Sequence, residues 1–149
     1  MNLSTHFTLD ELTVSETADR KGLDNTPDAA ALENLKRLAA FLEQVRSLVG
    51  KPIHINSAYR APAVNASVGG SKTSQHCLGL AADLRVRDMT PDQVVRAIKG
   101  SVLVYDQLIR EFSDPKKGGG WTHVSIPPID KKARNQVLII DSSGTRAFA

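Results

Sequence analysis

Residues 26–52 read TPDAAALENLKRLAAFLEQVRSLVGKP. Leu32, Leu35, Leu38, Leu42 and Val45 recur every three or four residues, which puts them on one stripe of an α-helix. Thr26 is the expected N-cap, with Pro27 at the first helical position and acidic Asp28 in the first turn, near the positive end of the helix dipole. Gly50 and Pro52 stop the helix. A helix with a single apolar stripe must bury it against a second layer.

Working outward, Thr8 and Glu11 have capping-box spacing, so a short helix is expected from Leu9. Beyond Pro52 the pattern shifts to short alternating or β-branched runs. Ile53–Asn56, Ala82–Val86, Tyr105–Phe112, Trp121–Ile126 and Gln136–Ile140 read as strands. Thr90 and Pro91 start a further short helix carrying Val94, Val95 and Ile98. Ser113–Gly120 holds Pro115 and three consecutive glycines, which is turn chemistry, so the strands on either side are expected to form a hairpin. The expectation is a small single α+β domain over residues 1–149, with N-terminal helices packed on a mainly antiparallel sheet.

With 149 residues, 41% apolar and 23% charged, the chain has the composition of a globular domain large enough for one core. No run approaches the roughly 20 apolar residues of a membrane span, so no membrane insertion is expected. Met1–Leu12 lacks a basic segment followed by an apolar run, so no secretory leader is expected. Cys77 is the only cysteine, which excludes an internal disulfide and fits folding in a reducing cytoplasm. The net charge of +3 suits attraction to an anionic polymer, and equally suits mere solubility. Basic residues are scattered and aromatics are only 5%, so nucleic acid is not an expected partner. Nothing in the sequence suggests more than a monomer.

Chemistry concentrates in Ser74-Gln75-His76-Cys77-Leu78-Gly79-Leu80-Ala81-Ala82-Asp83. An imidazole ends a loop and a carboxylate follows seven residues later at a strand. Small Gly79, Ala81 and Ala82 would let the backbone pass close to whatever both side chains face. His123 adds a second imidazole on a hairpin strand. Two histidines and one carboxylate are the ligand set of a catalytic zinc site with a fourth position left for water. Taken singly, each histidine reads as readily as a packed structural residue. His54 alternates with Ile53 and Ile55 and reads as structural or surface.

The full pattern, Ser74-x-His76-x-x-Gly79-x-Ala81-x-Asp83 followed by Trp121-x-His123, resembles the zinc D,D-peptidases. That group contains D-alanyl-D-alanine carboxypeptidases, D-Ala-D-Ala dipeptidases and phage endolysins. Phe7–Leu12, Ser57-Ala58-Tyr59-Arg60-Ala61-Pro62 and Asp106-Gln107-Leu108-Ile109 are similar to its small members, and the resemblance spans residues 5–128. It implies a zinc-dependent hydrolase acting on a peptidoglycan stem peptide, with Zn2+ on His76, Asp83 and His123. Arg60 would lie over the substrate, with a surface turn arginine as the alternative. Ser74 would hydrogen-bond substrate or cap its loop, and Trp121 would lie beside the substrate. Many relatives carry an acidic general base three positions before the last histidine, where this chain has Gly120. Glu111, on the paired strand, is the expected replacement, with Asp114 and then Asp106 behind it.

Two activities fit that resemblance: a D,D-carboxypeptidase, or an endolysin-type endopeptidase that would reach the wall by holin-type release from the cytoplasm. A non-catalytic zinc module on the same fold is the alternative outside catalysis. A cysteine peptidase built on Cys77 is the weaker enzymatic one.

Overall fold

The computed structural model describes residues 1–114 and 116–149. Five α-helices run in chain order as α1 (Leu9–Thr13), α2 (Glu16–Lys21), α3 (Ala29–Val49), α4 (Pro62–Ser67) and α5 (Pro91–Lys99). The strands are β1 (Ile53–Ser57), β2 (Ala81–Val86), β3 (Gln107–Glu111), β4 (Trp121–Ser125), β5 (Gln136–Asp141) and β6 (Gly144–Ala147). A 3-10 turn, Gln75–Leu78, precedes β2. The strands form one sheet in the order β1-β2-β4-β3-β5-β6, antiparallel throughout except for the parallel pair β3–β5. The expected α+β domain is therefore the observed one. No helix is long and apolar enough to cross a membrane among the described residues.

The main helix begins two residues later than its sequence suggests. Asp28, not Thr26, is the N-cap, and its carboxylate accepts from the Ala31 N–H at 2.8 Å. Thr26 instead donates its backbone N–H to Asp24 in a preceding turn. The buried stripe shifts with it: Ala31 is buried and Leu32 is partly exposed, while Leu35, Leu38, Leu42 and Val45 are inside as expected. The Thr8–Glu11 capping box forms, and Thr90 makes a second one with Gln93.

Tyr105–Phe112 is shortened to five residues, because Tyr105 and Asp106 precede β3 and Phe112 turns to φ 52° at its end. Helices α2 and α4, the 3-10 turn and strand β6 are additions that the periodicity did not announce. The expected hairpin is present, with Leu108 opposite Val124 and Glu111 opposite Trp121. Pro115, read from sequence as a turn residue, lies outside the described residues.

Strand alternation divides the sheet into two faces. Ala82, Leu84 and Val86 of β2, Leu108 of β3 and Val124 of β4 join Leu35, Leu38 and Leu42 of α3 and Val94, Val95 and Ile98 of α5 in one core. Their neighbours point the other way: Asp83 on β2, His123 and Trp121 on β4, and Gln107, Ile109 and Glu111 on β3 line a single cleft on the opposite face. The core thus fixes the height of the strand side chains in that cleft. His54, on β1, is exposed, as its alternation predicts.

Candidate metal centre

Asp83 and His123 are directly opposite each other in the β2–β4 register, and Ile109 lies opposite His123 on the far side. His76 arrives from the 3-10 turn before β2. That turn is capped by the Ser74 hydroxyl, which accepts from the His76 N–H at 3.2 Å, and closed by Gly79 at φ 75°. A Cβ at Gly79 would stand 2.6 Å from the Ala31 carbonyl oxygen of α3. The small residue therefore serves the packing of the turn on α3, not close approach to whatever the histidine faces. Ala82 is likewise a core residue.

The ligand-type atoms of His76, Asp83 and His123 all lie within 4.8 Å of one another, and these residues could hold a metal ion. The Nδ1 of His76 is 2.7 Å from the Ala58 carbonyl oxygen, which can only accept, so this nitrogen carries the proton. The other ring nitrogen, Nε2, faces Asp83 Oδ2 at 3.3 Å. On the other side His123 Nδ1 lies 3.1 Å from Asp83 Oδ1. Two imidazoles and one carboxylate gathered this closely are the donor set that suits zinc. Burial alone would raise the Asp83 pKa, but hydrogen bonds from His123 and His76 outweigh it and hold the carboxyl well below its usual range. An ionised carboxylate at Asp83 is what a dication would require there.

Around this centre runs a cleft of about 740 Å³. Arg60, Ser74, Glu111 and Trp121, each expected at the site, all line it. Arg60 is tied to the histidine turn through its backbone N–H, which donates to the His76 carbonyl at 3.1 Å. Its side-chain Nε is buried without a partner. Glu111 accepts a hydrogen bond from the Trp121 indole N–H, so Trp121 holds the carboxylate as well as forming part of the wall. Burial pushes the Glu111 carboxyl up, and the negative charge of Asp83 adds to the effect.

The other acids stand elsewhere. Asp114 is exposed and accepts the backbone N–H groups of Lys116 and Lys117. Asp106 is buried and held by Arg134 and Gln75. The lack of an acid at position 120 has a steric origin. Gly120 has φ 64°, and a Cβ there would lie 2.2 Å from the Glu111 carbonyl oxygen. Burial raises the Cys77 thiol against the opposing influence of Arg60, the reverse of what a thiolate nucleophile needs.

Two residues at the site carry no sequence signal of this kind. Asn25 donates to the carbonyls of Thr13 and Tyr59 and accepts from the Ala61 N–H, clamping the turn that presents Arg60. Its partners, Thr13 on one side and Tyr59 and Ala61 on the other, are distant from it in sequence, so no local motif marks it. Phe112 packs on Trp121 with ring centroids 5.5 Å apart and also lines the cleft. The glycine run after it hinted at a turn, but not at its left-handed backbone.

A family model described as Peptidase M15 matches residues 5–124, which takes in His76, Asp83, His123, Arg60, Ser74, Glu111 and Trp121. No curated protein matches the chain.

Proposed function

The chain belongs to the peptidase M15 family, whose members are zinc enzymes, and on that premise we propose that it cleaves a peptide bond of bacterial peptidoglycan, with His76, Asp83 and His123 as the zinc ligands. The observation that carries this reading is the convergence of His76, Asp83 and His123, their ligand-type atoms within 4.8 Å of one another, in the same cleft as Glu111 and Arg60. When bound, zinc supplies a Lewis acid for the scissile carbonyl and a water acidic enough to react near neutral pH.

Glu111 is the general base. Its Oε2 is held by the Trp121 indole, which leaves Oε1 to accept the proton of the attacking water and deliver it to the departing amine nitrogen. Its raised affinity for a proton suits that exchange. The unpartnered Nε of Arg60 marks a guanidinium prepared for an incoming oxygen, either a substrate carboxylate or the oxyanion forming at the carbonyl. Ser74 and Trp121 complete the substrate walls. The cleft of about 740 Å³ has both Arg60 and Arg134 in its walls, room and charge that support an endolysin-type endopeptidase over a carboxypeptidase trimming one terminal residue.

Mass spectrometry of purified muropeptides after digestion is the direct test. Zinc-loaded protein should convert them to shorter peptides, chelator should stop the conversion, and added zinc should restore it. Stoichiometric zinc with no muropeptide converted would leave a non-catalytic zinc module as the answer.

A further inference from the structure

Beyond the metal ligands the cleft meets a second cavity of about 350 Å³, and the two share Gln75 and Arg134. Arg134 lies outside the region that the family model matches. Its guanidinium is fixed from behind. Buried Asp106 accepts from Arg134 Nε at 3.1 Å and from Nη2 at 2.6 Å, and its Oδ1 also takes the Arg134 backbone N–H at 3.0 Å. Nη1 takes no part in this fork, and the side chain is 54% exposed. An arginine with five donors, held by two of its nitrogens, keeps the remaining edge for another acceptor.

Gln75 is fixed by the same carboxylate, donating Nε2 to Asp106 Oδ2 at 2.8 Å. That contact turns its Oε1 into a buried acceptor with no partner. Lys131 and Lys132 line the second cavity beside Arg134, so three cations stand there against the single carboxylate of Asp106. The surroundings thus offer an oriented cation edge, two further positive charges and one unfilled amide acceptor. A peptide residue with a free carboxylate satisfies all of them: carboxylate to Arg134 and the lysines, backbone N–H to Gln75.

We propose that this second cavity is a specificity subsite for a carboxylate-bearing residue of the substrate peptide, away from the scissile bond. The inference rests on the peptidoglycan-peptide reading above and narrows it to stem peptides whose acidic residue is not amidated. Arg134 and the two lysines are specificity residues here, and Asp106 is a positioning residue that acts through Arg134.

The test uses two synthetic stem peptides, identical except that one carries the free α-carboxylate of its glutamyl residue and the other its amide. Binding to the zinc-loaded protein is measured by calorimetry, and cleavage by mass spectrometry in parallel. The wild type should bind the carboxylate form about tenfold more tightly, the equivalent of about 1.4 kcal/mol. Arg134→Gln should lose most of that preference. Because this change could also loosen the Asp106 network, Lys131→Ala/Lys132→Ala is measured beside it with the Arg134 fork intact, and should also shrink the preference and its salt dependence. Equal binding of the two peptides by the wild type would overturn the subsite, as would full preference in the folded double-lysine variant. Discriminating binding without cleavage would uphold the subsite and count against the peptidase reading alone.

Discussion

Glu111 is held by neighbours on two sides. Trp121 donates its indole N–H to one oxygen, and burial with the Asp83 charge favours the protonated form. Glu111→Gln retains an oxygen for the indole to bond, so the wall of the cleft should survive. What disappears is the oxygen that takes a proton, and a positioned carboxylate contributes on the order of 10²–10⁴-fold to such a step. The variant should therefore bind zinc at wild-type stoichiometry and lose at least about 10²-fold in turnover of muropeptides. Asp114→Asn should lose far less, because that carboxylate caps its own exposed loop. A reversed order would place the base on the loop. The His76, Asp83 and His123 cluster was legible because its residues sit in two short motifs. Glu111 was singled out from strand pairing and the resemblance, and Asn25 not at all, since its partners, Thr13 and the Tyr59–Ala61 turn, lie on two distant segments.

At the scale of elements, the β3–β4 hairpin is set by a backbone contact. Gly120 sits where any Cβ would collide with the carbonyl of Glu111 and with Phe112, and its φ of 64° is costly for other residues. Gly120→Ala should lose at least about 2 kcal/mol of stability, the left-handed backbone and the clash together, read as a lower denaturant midpoint. A wild-type midpoint would mean the hairpin opens there at no cost. The N-terminal segment is tied to α3 by a second device. Glu43 accepts from the Ser4 hydroxyl and the His6 backbone N–H, both at 2.6 Å, and faces the His6 ring at 2.7 Å. Burial alone would raise its pKa, yet the bonds from Ser4 and His6 outweigh it and bring it down to about 2. A folded pKa below the unfolded one gives stability that is present above about pH 4.5 and is lost as pH falls toward 2. The gap between wild type and Glu43→Gln in denaturant midpoint should thus close across that window. A gap of the same size at pH 6 and pH 2 would show that the carboxylate's charge is irrelevant. Sequence periodicity located α3 and most of the strands because each buries a regular stripe or face. It missed α2, α4 and β6, which are short, and in β6 wholly exposed, so they leave little periodic signal.

For the molecule as a whole, the question is whether metal or core holds the ligands together. Asp83 and His123 are opposite each other because β2 and β4 pair over four consecutive positions. Those strands in turn rest on a core of Leu35, Leu38, Leu42, Leu84, Leu108 and Val124, all fully buried. His76 is set by the Ala58 carbonyl and the packing of its turn on α3. None of these contacts passes through the metal, in contrast to small zinc domains that are unfolded without it. Removing zinc should therefore leave the far-ultraviolet circular dichroism and a single cooperative melt intact. The stabilisation that binding adds is set by mass action, about 4 kcal/mol when free zinc is a thousand times its Kd. For a chain of this size each kcal/mol moves Tm by about 2–4 °C, so chelation should lower Tm by about 8–16 °C, and stoichiometric zinc should restore it. His123→Ala removes a ligand without touching the core, so its Tm should respond little to chelator. A broad, non-cooperative melt of the chelated wild type would show instead that the sheet needs the ion to form. An equally large chelator response in His123→Ala would place the metal elsewhere on the protein.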